Sequence, residues 1–139
     1  MTRYIDPDRD AFRQFAKMDI AGPVQMLNLL RFRARADYED GREATGVEAY
    51  KAYGRESEPI FTRVGGQIIW NGKPQVPLIG PADETWHAGF IAEYPSKDAF
   101  IEMVKDPAYQ AIVFHRQAAV ETSRLYCFEK RETGSGFAA

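Results

Sequence analysis

The sequence predicts an α+β fold, a ferredoxin-like βαββαβ arrangement with an antiparallel sheet and one extra helix in front. Two observations carry the prediction. The first is order: an apolar strand, a helix, two strands, a second helical stretch and a last strand follow one another along the chain. The second is that strand one is apolar on both faces, although helices in such a fold cover only one side of the sheet. A second copy of the chain is the simplest cover for the other side, so a homodimer built sheet against sheet is expected.

Each element has its own signals. Asp6-Pro7-Asp8 marks a helix start with Pro7 near the first helical position; Phe12, Phe15 and Ala16 recur at helical spacing until Gly22-Pro23 ends the segment. Strand one runs from Val24 to Phe32, and only Asn28 interrupts the set Val24, Met26, Leu30 and Phe32. Residues 33–45 are charged and patternless, the mark of a long surface loop suited to a rim or lid. From Gly46 to Val64 one helical face carries Val47, Tyr50, Gly54, Ser57, Phe61 and Val64, flanked by Tyr53 and Ile60. Pro59 should kink or restart this helix because it lacks the N–H that the ladder needs, and Gly65-Gly66 stops it.

Strand two begins at Gln67. Asn71-Gly72 then signals a tight hairpin into residues 76–79, whereas Pro74 and Pro77 signal a bent edge strand. Strand three spans Thr85 to Tyr94. Ser96 caps the next helix, Asp106-Pro107 interrupts and restarts it, and Ser123 to Glu129 forms the last strand.

A length of 139 residues fits one domain, with an N-terminal helical extension over 1–22, a core over 23–129 and a flexible tail over 130–139. The net charge of -2, with Lys and Arg scattered among Asp and Glu, leaves no basic stripe to grip phosphates, so no nucleic-acid partner is expected. The one cysteine, Cys127, has no internal disulfide partner, which fits a reducing compartment. No apolar signal region opens the chain and no stretch approaches the ~20 apolar residues that span a bilayer. The expected location is cytoplasmic, away from membranes. Two histidines without a close carboxylate or cysteine make no metal-ligand pattern, and no G-x-S-x-G, G-x-G-x-x-G or P-loop is present. No metal or other cofactor is expected.

Several segments together carry a family resemblance: Asn28-Leu29-Leu30-Arg31-Phe32, Gly65-Gly66, Glu93-Tyr94-Pro95-Ser96, Asp106-Pro107-Ala108-Tyr109 and His115-Arg116-Gln117-Ala118-Ala119. Over about residues 23 to 129 the chain resembles the bacterial family known as domain of unknown function 1330. That resemblance implies the dimeric α+β barrel superfamily, in which two ferredoxin-like sheets pack face to face. It implies a fold and a dimer, not a reaction.

The residues that could carry chemistry cluster on two helices and two strands. At about 100° per residue, Tyr109, Ile112, Val113, Arg116 and Val120 share a helical face with Arg116 near its centre. An inward guanidinium must find acceptors, so Arg116 is a structural tie to a carboxylate or to backbone carbonyls, a side chain snorkelling to water near the helix end, or a bidentate clamp for a substrate carboxylate or enolate. His115, at the border of that face, is either a partly exposed surface histidine or a general base. Asn28 must satisfy its amide within the structure or on a ligand. Tyr50 and Tyr53, and Trp86 with Phe90 and Tyr94, are aromatic core or the lining of an apolar pocket.

Two classes of function follow. One is a cofactor-independent enzyme, acting by proton transfer or oxygenation on a small, partly aromatic or carboxylated metabolite held between sheet and helices. This resembles other α+β-barrel dimers, including monooxygenases that place Asn, Trp and His around an apolar cavity. The alternative is a non-catalytic ligand-binding or structural homodimer. His115 and Arg116 are the candidate catalytic residues, and Asn28, Tyr50, Tyr53, Trp86 and Tyr109 the candidate ligand contacts.

Overall fold

A computed structural model describes residues 2–134, 136 and 137. Met1, Ser135, Ala138 and Ala139 lie outside the described residues, and with them part of the tail expected to be mobile. The elements are α1 (Arg9–Lys17), β1 (Val24–Phe32), α2 (Gly46–Arg63), β2 (Gln67–Gly72), β3 (Ala88–Tyr94), α3 (Lys97–Lys105), α4 (Pro107–Gln110), α5 (Phe114–Ala119) and β4 (Val120–Glu129). The strands form one antiparallel sheet in the order β2-β3-β1-β4, the ferredoxin-like arrangement with α1 in front.

Local chemistry sets the helix ends. Asp8, not Pro7, caps α1: its carboxylate accepts from the Ala11 N–H at 3.0 Å, so Pro7 stands before the cap. Thr45 and Glu48 open α2 with reciprocal side-chain bonds to each other's backbone N–H groups. Pro59 does not restart α2, which runs unbroken past it. Arg55, whose carbonyl loses its usual partner, sits at an exposed position where water can serve it. Val47, expected on the inward face, is exposed, whereas Ser57, expected there, and Ile60, expected at its flank, are buried, and Gly46 and Ala49 are buried with them. The helix start lies against the chain just past β1, where the Gly46 N–H donates to the Arg33 carbonyl at 3.1 Å and only a residue without Cβ fits.

In the antiparallel ladders, residues directly opposite share a face. On the helix-covered side, Val24, Met26, Asn28 and Leu30 stand opposite Tyr94, Ala92, Phe90 and Ala88 of β3. Met26, Asn28 and Leu30 also stand opposite Cys127, Leu125 and Ser123 of β4. Two buried clusters form there. One gathers Val24, Met26, Ala92, Tyr94, Phe100, Met103 and Ile60, with Phe12 and Phe15 of α1 packed against it. The other gathers Leu30, Tyr38, Ala49, Ala118, Ala119 and Val120. The opposite face presents Leu27, Leu29, Ile91, Trp70, Tyr126 and Phe128, of which Trp70, Tyr126 and Phe128 stay about half exposed or more.

Connections depart most from the expected pattern. Asn71 and Gly72 are not a hairpin turn; they pair with Phe90 and Gly89 inside the β2–β3 ladder, which carries a bulge between Ile68 and Trp70. No strand forms over 76–79, and residues 73–87 are one long excursion between β2 and β3. Strand three therefore starts at Ala88, leaving Trp86 outside it. The loop over 33–45 is closed by a bridge between Arg35 and Thr45, and the Asp37 N–H donates to the Ala118 carbonyl at 2.9 Å.

Candidate functional site

Between the two buried clusters the helix-covered side of the sheet is not filled. Asn28 stands at that gap, and a cavity of about 1450 Å³ opens there between the sheet and α1, α2, α4 and α5. Its wall is largely apolar, with Asn28, Tyr50, Tyr53, Tyr109 and Arg116 as polar groups on its inner part. A mostly apolar concavity with few convergent polar groups is the usual anatomy of a small-molecule site.

Helix α2 places Tyr50 and Tyr53 one turn apart, with ring centroids 5.4 Å from each other. The Asp106-Pro107 break between α3 and α4 turns the chain so that Tyr109 meets α2; its hydroxyl is 2.8 Å from that of Tyr53. The Tyr50 hydroxyl makes no hydrogen bond among the described residues. Burial pushes the Tyr50 phenol up to about 12, opposed by the Arg116 guanidinium. Burial also raises Tyr53 well above its ordinary value, and it raises Tyr109, where the bond to Tyr53 and the charge of Arg116 act the other way. All three hydroxyls are protonated at neutral pH and are hydrogen-bond donors.

Arg116, on the short helix α5, is half-buried and lines the cavity. One of its terminal N–H groups donates to the Ile5 carbonyl, and another reaches Ser123 Oγ at 3.4 Å. Ser123 in turn donates to the Tyr4 carbonyl at 2.8 Å. The tie to backbone carbonyls is thus present, and it anchors the segment before α1 across the start of β4. Asn28 donates to the Met26 carbonyl at 3.0 Å, which leaves its amide oxygen free of a protein donor among the described residues.

Two expected members stand elsewhere. His115 is 5% exposed rather than a surface residue, and it does not line the cavity. Its Nδ1 lies 2.6 Å from the Tyr38 hydroxyl and its Nε2 2.8 Å from a Glu56 carboxylate oxygen. This chain joins the 33–45 loop to α2 and α5, with the Arg42 guanidinium 4.5 Å over the Tyr38 ring. Trp86, lying before β3, packs near Arg124, whose guanidinium is 5.2 Å from the ring, and it does not line the cavity either.

Reading the sequence missed Tyr38, Glu56 and Ser123. Tyr38 had a signal, as the single aromatic in a charged stretch. The other two are defined by contacts between distant segments. Cys127 also lines the cavity, and burial pushes its thiol up.

Among the described residues no group of three or more His, Cys, Asp or Glu side chains could hold a metal ion. No helix among them is long and apolar enough to cross a membrane.

No curated protein matches this chain. The crystal structure of the RPA0582 protein, a protein of unknown function from Rhodopseudomonas palustris, is 53% identical over 95% of this chain and 100% of that one, with a TM-score of 0.91. The structure of methylated RPA0582 gives 54% identity over 97% and 100%, at a TM-score of 0.93. A distant likeness is SnoaB, a cofactor-independent oxygenase from Streptomyces nogalater, at 19% identity over 84% of this chain and all of that one, with a TM-score of 0.53. At that identity the likeness shows the ferredoxin-like fold alone. The model of the family described as "Domain of unknown function (DUF1330)" matches residues 42–130, and with the close match to RPA0582 this shows that the chain belongs to that family.

Proposed function

We propose that the chain binds a small, partly aromatic metabolite bearing a carboxylate or enolate in the cavity between sheet and helices, and that it works as a homodimer paired through the uncovered face of its sheet. The observation that carries the ligand reading is the convergence of hydrogen-bond donors on one apolar cavity. The Tyr50 hydroxyl has no hydrogen-bond partner among the described residues, Tyr53 and Tyr109 form a hydroxyl pair, and the charge of the Arg116 guanidinium acts on all three. The Tyr50 hydroxyl, the one hydrogen of the Tyr53–Tyr109 pair not spent between them, and the guanidinium N–H groups not taken by Ile5 and Ser123 fit an acceptor-rich, negatively charged guest, and the aromatic walls fit a ring.

Binding is supported ahead of turnover. The phenols and thiol of the lining whose acidity burial alters, Tyr50, Tyr53, Tyr94, Tyr109 and Cys127, are all shifted up and hold their protons at neutral pH. The carboxylates of the lining, Asp6, Asp8 and Glu58, are at exposed positions. Proton transfer by His115 would require the imidazole to leave Tyr38 and Glu56. The dimer reading rests on the exposed aromatic residues of the second sheet face, which a partner sheet would cover.

A melting panel tests the ligand reading. Small aromatic acids should raise the melting temperature of the protein, and the same rings without the acid group should not. Tyr50→Phe keeps the ring and removes one donor, so it should weaken binding of the best acid by about tenfold. If no acid shifts the melt or the tyrosine ring resonances, the reading fails.

A further inference from the structure

Residues 73–87 leave and rejoin the sheet on its uncovered face. Pro74 packs over Gly89, its Cγ 3.8 Å from where a Gly89 side chain would begin, in the company of Leu29 and Trp70. On the return limb Arg31 donates to the carbonyls of Asp83 and Thr85 at 3.2 and 3.1 Å, and Arg124 pairs with Glu84 at 3.1 Å. Arg31 and Arg124 stand opposite Thr122 and Leu29 in the ladder, so both grips lie on the uncovered face. Between these fixed ends the tip carries three aliphatic side chains, Val76, Leu78 and Ile79, that are 68%, 90% and 99% exposed. Among the described residues, nothing buries them.

We propose that residues 75–82 are an arm that reaches onto a second copy of this chain, laying Val76, Leu78 and Ile79 against the partner at the margin of its uncovered sheet face. This rests on the homodimer reading above and adds the contact that completes it. Area favours a second copy. Strands of 9, 6, 7 and 10 residues, at ~3.3 Å per residue and ~4.8 Å between strands, give a sheet face of roughly 510 Å². A stable interface buries about 800 Å² on each partner. Three aliphatic side chains at about 100 Å² apiece close that gap. A twofold pair is self-complementary, so one dimer buries both arms and both faces at once.

The test is self-association of the full chain, followed by fluorescence-detected sedimentation for wild type, Leu78→Ser/Ile79→Ser and Tyr126→Glu. The wild type should be a dimer. The arm variant should fold, because its changed side chains touch nothing in the monomer, and circular dichroism checks this. Its dimer dissociation constant should rise by roughly a hundredfold or more. An arm variant that dimerises like wild type, while Tyr126→Glu dissociates, overturns the arm and leaves sheet pairing standing. A monomeric wild type at tens of micromolar overturns both.

Discussion

Replacing Arg116 with alanine separates its two duties, and the structure sets the size of the effect. The variant loses one charge-assisted hydrogen bond, to the Ile5 carbonyl; the contact to Ser123, at 3.4 Å, is too long to add much, and Ser123 keeps its bond to Tyr4. A hydrogen bond to a charged group contributes about 1.5–3 kcal/mol. The larger penalty for an unpaired buried ion does not apply, because the substitution removes the charge itself and the freed carbonyl borders a cavity that water can enter. A loss of about 2 kcal/mol follows. For 139 residues this lowers the melting temperature by roughly 7 °C. Two further readouts locate the effect. Hydrogen exchange at the Tyr4 and Ser123 amides, which bond to Thr122 Oγ1 and to the Tyr4 carbonyl, should quicken, and stabilisation by an aromatic acid should vanish. A variant that melts with wild type and keeps both amides protected would show that Arg116 is no tie. One that loses the tie but still takes the acid would remove Arg116 from the binding reading.

Two other outcomes are expected. Gly46→Ala should destabilise the fold by more than about 3 kcal/mol, since a Cβ there would stand 2.1 Å from the Arg33 carbonyl oxygen and 2.9 Å from that of Ala119, whereas Gly54→Ala, in the same helix with open space, should stabilise it by about 0.5–1 kcal/mol; chemical denaturation of both variants checks the contrast. In alkaline titration followed by phenolate absorbance, Tyr50 should ionise only near pH 12; because the folded chain then holds a proton that the unfolded chain releases from about pH 10, this contribution to stability is complete below pH 10 and is lost as pH rises through 12, and a Tyr50→Phe variant whose phenolate curve matches wild type would refute the assignment.

The sheet was legible because its signals are local and periodic. Strand one runs over the residues that the two-sided apolar pattern marked, and Ser96, Asp106 and Pro107 cap the helices as their types require. The failures occurred where a long-range contact overrides local preference. Asn71-Gly72 is hairpin chemistry, yet both residues pair with β3, and the turn is replaced by an arm held by Arg31 and Arg124 from other strands. The first turn of α2 departs from the expected face for the same kind of reason. Val47 is the better hydrophobe, but the close approach of Arg33 and Ala119 admits only Gly46.

The candidate site divides along the same line. Tyr109 and Arg116 line a common cavity, but not on the single helical face expected, since that stretch is divided between α4 and α5 and Val120 opens β4; Asn28, marked by its amide in an apolar strand, lines the cavity as well. His115 is next to Arg116 in the chain, and a one-residue step turns a helical side chain by about 100°. That step carries the imidazole away from the cavity to another side of α5, where Tyr38 and Glu56 take both ring nitrogens. Adjacency in sequence therefore argued against a shared site, not for one. The same geometry leaves Asn28, Tyr50, Tyr53, Tyr109 and Arg116 among the polar groups of a largely apolar wall with no described imidazole on it, and the proposal of ligand binding ahead of proton transfer rests on that arrangement.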